Sequence, residues 1–200
     1  MGYDACASAT GGEFPRGNVG AGAGATAGKV YGISRAVKAG LGTACVELYG
    51  EIKVGAIVAV NAFGDVREPA GGKIIAGARN AQGTGFADTE KIMTGDLSPM
   101  FWRGSNTVIG LVATNARLNK EETNKLAQMA SNGIARTIAP AHTSFDGDVV
   151  FALSNADTDL FAPVSAVGSA AAQAMSHAIV DAVRSAESAG GLPAAKDLDF

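Results

Sequence analysis

Apolar and polar positions change rhythm along the chain. Residues 1–28 show little period: "GYDACASA" resembles the tail of a helix, and "GGEFPRGNVGAGAGATAGK" reads as loop and turn. From Lys29, "KVYGISRAVKAGLGTACVELYG" mixes alternation with β-branched and aromatic residues, which predicts two short strands meeting at Ala39-Gly40. "IKVGAIVAVNAFGDV" is the strongest strand signal. Its Val54, Ile57, Val58 and Val60 lie in so apolar a run that burial of both faces is expected. Residues 65–100 are polar, Gly-rich and without a period, which predicts a long irregular segment with a functional or mobile role.

The second half is more regular. "TVIGLVATNA" predicts a strand, and "NKEETNKLAQMASNGIARTI" a helix. Asn119 is placed to cap that helix and Glu122 to complete a capping box. Leu126, Met129, Ala130, Ile134 and Ile138 mark its apolar face, and Pro140 stops it. "DVVFALSNA" predicts another strand, and "VSAVGSAAAQAMSHAIVDAVRSAES" a long helix with a small-residue face. "GGLPAAKDLDF" is irregular. Strands followed by strand–helix–strand–helix imply a sheet layered with helices, and no repeat of period 20–50 competes with that.

Composition narrows the function classes. A chain of 200 residues suits a single domain, 1–200, with a sizeable core. The hydrophobic share of 47%, charged share of 18% and net charge of −3 describe a globular protein without the basic footprint of a nucleic-acid binder. No apolar run reaches the roughly 18 residues of a membrane span. "MGYDACASATGG" lacks the basic start and apolar core of a signal peptide. Cys6 and Cys45 form no disulfide framework or metal motif, so a reducing cytoplasm is the expected location. The 27 glycines crowd the first half, which predicts tight turns and close backbone approaches there.

Four stretches carry candidate chemistry. "GNVGAGAGATAGK" fits a dinucleotide fingerprint formally, but it neither follows a strand nor opens a helix. As a phosphate loop it has Ala23 where glycine is needed and Val30 where a hydroxyl should hold magnesium, so a tight turn packed beside a strand is expected. His142 and His177 lack partners at metal-ligand spacing, and no Gly-x-Ser-x-Gly elbow accompanies them. No cofactor or metal is therefore expected. Asp146 and Asp148, in "FDGDVVF", are two apart before a strand and share a side. Such a pair repels, so either one carboxyl is raised in pKa or the segment is a polar turn with Gly147 at an unusual φ. Thr107, finally, opens a strand after Asn106. A strand-initial threonine suits β structure by itself. In an Asn-Thr step, however, the hydroxyl can attack the preceding carbonyl and cut its own peptide bond. The new α-amine, with a pKa near 7.7–8.0, then serves as base for its own hydroxyl.

"NTVIGLVATNARL", "KLAQMASNGIARTIAPAHTSFDGDVVFAL", "GNVGAGAGATAGK" and "VGAIVAVNAFGDV" occur in one order across most of Gly2 to Leu153. Together they resemble the DmpA-type L-aminopeptidase/D-esterase family, which includes β-peptidyl aminopeptidases and endo-type nylon-oligomer hydrolases. The Asn-Thr step places the likeness on the nylon-oligomer branch. The resemblance implies an α+β fold, an αββα sandwich of the kind shared with ornithine acetyltransferases. It also implies self-cleavage between Asn106 and Thr107 into 1–106 and 107–200, with Thr107 as nucleophile. Asp146 and Asp148 match the family's acidic pair, and Lys38 and Asn61 match polar residues lining the nucleophile. Asn61 would hold the oxyanion. Lys38 would lower the pKa of the Thr107 amine or hold its hydroxyl.

The chain departs from the family pattern in two ways. Met1 stands almost at the point where members have already run for over a hundred residues, so an N-terminal part of the family fold is expected to be missing. Val108 replaces a second threonine. The implied activity is hydrolysis of short peptides, amino-acid amides or esters, or 6-aminohexanoate oligomers, through an acyl-enzyme. The implied partners are a small amide substrate and further copies in a tetramer-like homo-oligomer, with neither nucleic acid nor membrane. An ornithine acetyltransferase-like acyltransferase and an inactive truncated homologue are the alternatives.

Overall fold

The computed structural model describes residues 2–69, 72–95, 106–155 and 159–200. Its fold is α+β. The main sheet has four strands in the order β3-β4-β7-β9: β3 (Leu41–Glu47), β4 (Lys53–Asn61), β7 (Thr107–Thr114) and β9 (Val149–Ser154). β3–β4 and β4–β7 are antiparallel; β7–β9 is parallel, the connection between them running through helix α3 (Lys120–Thr137). β1 (Thr26–Ala27) and β2 (Val37–Lys38) form a small separate ladder. β5 (Asp65–Arg67) pairs with β6 (Ile74–Ala76) and β8 (Ile138–Ala139) in a third sheet. Two short α-helices lie outside these sheets, the exposed α1 (Gly2–Ala7) and α2 (Thr89–Thr94).

The core lies between the main sheet and one layer of helices. Helix α3 starts where the sequence reading put it: the Asn119 side chain accepts from the Glu122 amide at 2.9 Å, and Glu122 answers to the Asn119 amide at 2.9 Å. Leu126, Ala130 and Ile134 are buried. Helix α4 (Val164–Arg184) is Ala-rich because it runs against β3 and β4 almost backbone to backbone. A Cβ on Gly42 would stand 2.1 Å from the Ala178 carbonyl oxygen, so any side chain there would push the helix off the sheet.

Two expectations need correction. β4 is not buried on both faces: Val54, Ala56, Val58 and Val60 face the helices, whereas Gly55 and Ile57 are half-exposed. The outer face of the sheet carries Ile109, Phe151 and Leu153 at 48%, 57% and 57% exposure. An apolar run shows that a strand can be buried; which layers cover it is a tertiary matter. Nor is 65–100 irregular throughout, for it holds β5, β6 and α2. Those elements are too short to show a period, and Asp65 organises them. Its buried carboxylate accepts from the amides of Ala78 and Thr89 and the hydroxyl of Thr89, and burial pushes its pKa up to about 6. Gly104 and Ser105, which precede Asn106, lie outside the described residues. Among the described residues no helix is long and apolar enough to cross a membrane.

Candidate active site

Strand register assembles the site. Asn61, the last residue of β4, lies opposite Thr107, the first of β7. On the other flank the parallel pairing with β9 extends upstream through an isolated bridge between Asn106 and Asp146. The Gly147 amide then donates to the Asn106 carbonyl oxygen at 2.9 Å. Thus Asn61, Thr107 and the Asp146-Gly147-Asp148 turn meet at one end of the sheet, although the sequence separates them widely. Asn106 is buried, while Thr107 is half-buried with its Oγ1 2.5 Å from the Asn106 carbonyl oxygen. The hydroxyl therefore sits against the peptide group that a self-cleavage reaction would break.

The two aspartates hold different parts of this end. Asp148 Oδ1 accepts from the Val108 amide at 2.9 Å, which fixes the course of β7 just after Thr107. Its Oδ2 lies 3.0 Å from His142 Nδ1 and accepts from the His142 amide at 3.3 Å. Burial raises the Asp148 pKa; the Val108 hydrogen bond opposes this, and the charge of Asp146 adds to it. Like-charge repulsion, the reason the spacing suggested, is thus a secondary cause. Asp146 accepts from the Thr143 hydroxyl at 2.6 Å and from the Phe63 amide at 3.2 Å, tying the turn to the end of β4. The rings of Phe63 and Phe145 pack 5.0 Å apart beside it. The alternative reading of an unusual φ at Gly147 does not hold, since its φ is outside the left-handed region. His142, by contrast, has φ +54 and shares Nε2 with Ser131 Oγ at 3.3 Å. His177 is exposed on α4.

The sequence reading missed Lys29. Its ammonium donates to Asn61 Oδ1 at 2.6 Å and to the Ala62 carbonyl at 3.1 Å, and the residue is 2% exposed. Burial lowers its pKa to about 7, against the pull of the Asp146 charge. A lysine at that pKa is present in both charged and neutral forms near pH 7. The available signal was a lone cation in a run of small residues, which turned out to be buried. Asn61 Oδ1 also accepts from the Thr26 amide and hydroxyl at 3.3 and 3.4 Å, so the carboxamide oxygen faces these donors and Nδ2 points away from them. Lys38 is buried as well, and burial lowers its pKa, but its amine bonds the Ala23 carbonyl at 2.9 Å. It secures the Gly-rich loop, which forms the expected tight turn beside β3. Among the described residues no group of three or more His, Cys, Asp or Glu could hold a metal ion.

The model of peptidase family S58 matches residues 1–196. The chain belongs to that family. An uncharacterized aminopeptidase of Mycobacterium leprae is 35% identical over 214 residues, covering 96% of this chain and 55% of the relative. A 6-aminohexanoate-oligomer endohydrolase of Kocuria sp. is 33% identical over 200 residues, covering 92% and 55%. The L-aminopeptidase D-Ala-esterase/amidase of Ochrobactrum anthropi, described as a variant of the Ntn hydrolase fold, superposes with a TM-score of 0.59 at 24% identity, covering 92% of this chain and 48% of that one. This last likeness concerns fold alone. The chain thus spans about half the length of these family members.

Proposed function

We propose that the chain is a self-processing amide hydrolase whose nucleophile is Thr107. The observation that carries this is the 2.5 Å approach of Thr107 Oγ1 to the Asn106 carbonyl oxygen, at a strand end flanked by Lys29-Asn61 and Asp146-Asp148. In the cutting step, Oγ1 bonds to the Asn106 carbonyl carbon and the C–N bond breaks. The hydroxyl proton ends on the Thr107 nitrogen. Water then hydrolyses the ester, leaving 1–106 and a chain beginning at Thr107. In turnover the new α-amine takes the hydroxyl proton as Oγ1 attacks a substrate amide, then passes it to the leaving amine. Water releases the acid from the acyl-enzyme.

Asn61 Nδ2 is the side-chain donor for the substrate oxyanion, with its orientation fixed by the bonds to Oδ1. Lys29, whose pKa burial brings to about 7, relays protons beside Asn61; Asp148 holds β7 at Val108, and Asp146 holds the turn against Phe63. Lys38 supports the loop around Lys29. The substrates are short peptides, amino-acid amides or esters, or ω-amino-acid oligomers such as those of 6-aminohexanoate, the class in the name of the Kocuria relative. A tetramer-like homo-oligomer is the assembly that goes with this reading, and light scattering measures it. Intact mass and N-terminal sequencing of the purified chain test the central step: a fragment beginning Thr-Val-Ile-Gly is expected. A chain that stays whole and leaves amino-acid amides and 6-aminohexanoate oligomers untouched sinks the proposal.

A further inference from the structure

We infer that the backbone N–H of Gly147 is the oxyanion donor of the self-cleavage step, and that position 147 is glycine to leave room for the attacking hydroxyl. This rests on the self-cleavage reading above. Two measurements converge on it. The Gly147 amide already donates to the Asn106 carbonyl oxygen at 2.9 Å, the atom that gains negative charge when Thr107 Oγ1 bonds to the carbonyl carbon. A Cβ on residue 147 would stand 3.0 Å from Thr107 Oγ1 and 3.7 Å from the Asn106 oxygen. Glycine is not needed there for the backbone, because its φ is outside the left-handed region. Space beside the hydroxyl is the remaining reason.

The same bond is a ladder bond continuing the β7–β9 pairing. That is why the donor is well fixed: a strand-paired amide needs no reorganisation as charge appears on its acceptor, the condition under which such donors are most effective. The cut therefore has a main-chain donor on the β9 side, distinct from the side-chain donor assigned to substrate turnover on the β4 side.

The test is the rate of fragment formation in the full chain, followed by intact mass, with folding checked by circular dichroism. Replacing Gly147 by glycolate, an amide-to-ester change, removes the donor without adding a side chain and is expected to slow cleavage about 10²-fold. Should the ester chain fail to fold, Gly147→Ala keeps the donor but crowds Oγ1, and cleavage slowed tenfold or more is expected. Folded ester chain, or in its absence folded Gly147→Ala, cutting within threefold of the unmodified rate overturns the inference while leaving self-cleavage standing. An unmodified chain that never cuts overturns both, and so marks failure of the underlying reading rather than of the donor alone.

Discussion

Strand β7 begins with Thr107 after Asn106 and ends with Thr114 before Asn115, so its two ends carry nearly the same residues. At the far end, Thr114 is buried and its hydroxyl donates to the Lys53 carbonyl at 2.9 Å and accepts from the Ala116 amide at 3.1 Å. Asn115 closes the β3–β4 turn by bonding the Lys53 amide and the Glu51 carbonyl. Ser154 bonds the Leu118 amide and the Ala116 carbonyl. Those partners are backbone groups, and the polar side chains there finish the ends of strands. At the near end, Thr107 is half-buried against its own preceding carbonyl, with a buried lysine on one flank and a buried aspartate on the other. The hydroxyl is the same chemical group in both places. Titratable groups whose charged forms burial disfavours are what distinguish the Thr107 end.

The largest effect should separate the two threonines directly. Thr107→Ala is expected to abolish fragment formation and lower amide hydrolysis by at least about 10³-fold. Thr114→Ala should cut and turn over normally while losing about 1–2 kcal/mol in urea unfolding, because buried backbone groups lose a partner. Equal activity loss in both variants would break the contrast.

Lys29→Met should lower kcat/KM about 10²-fold, the scale of a lost proton relay. It should also remove a pH dependence of stability. The Lys29 pKa is lowered to about 7 from 10.5, so between those values the unfolded chain binds more protons and stability rises with pH. Below about 7 both states are protonated and the burial penalty is present in full. Urea titrations at several pH values from 6 to 10 check this: identical slopes for the variant and the parent would place Lys29 in a far wetter site than its burial implies.

Asp148→Asn sharpens the comparison further. An asparagine oxygen still accepts from Val108, so the fold should hold, whereas the carboxyl partner of His142 is gone; kcat/KM should drop about tenfold. The smallest effect is expected far from both ends. Asn119→Ala should destabilise by about 1 kcal/mol through loss of the α3 cap, with kcat/KM unchanged.

Legibility in the sequence followed the range of the interactions involved. The capping box of α3 was readable because Asn119 and Glu122 are one turn apart and their bonds are local. Strands β4 and β7 were readable because long apolar runs between polar turns suit little else. The short β5 and β6 were not, since three residues carry no period; what holds them is Asp65, whose partners lie 13 and 24 positions away. At the site, Thr107, Asp146, Asp148 and Asn61 came from family motifs, and register brings all four to one end of the sheet. Lys38 and Lys29 show where motif reading stops. Both sit near the Gly-rich loop, and only the direction of each amine, toward Ala23 or toward Asn61, distinguishes loop support from a place at the end of β4.

By itself the sequence determined the course of α3, α4 and the long apolar strands β4 and β7, which peptide bond joins an asparagine to a strand-opening threonine, and which family the motifs resemble. These depend on neighbouring residues or on patterns along the chain. Tertiary structure alone decided that Lys29 is buried, that Asp148 owes its raised pKa chiefly to burial, and that the Gly147 amide faces the Asn106 carbonyl. Desolvation and hydrogen-bond direction depend on what packs around a group, and here that comes from strands far apart in the chain.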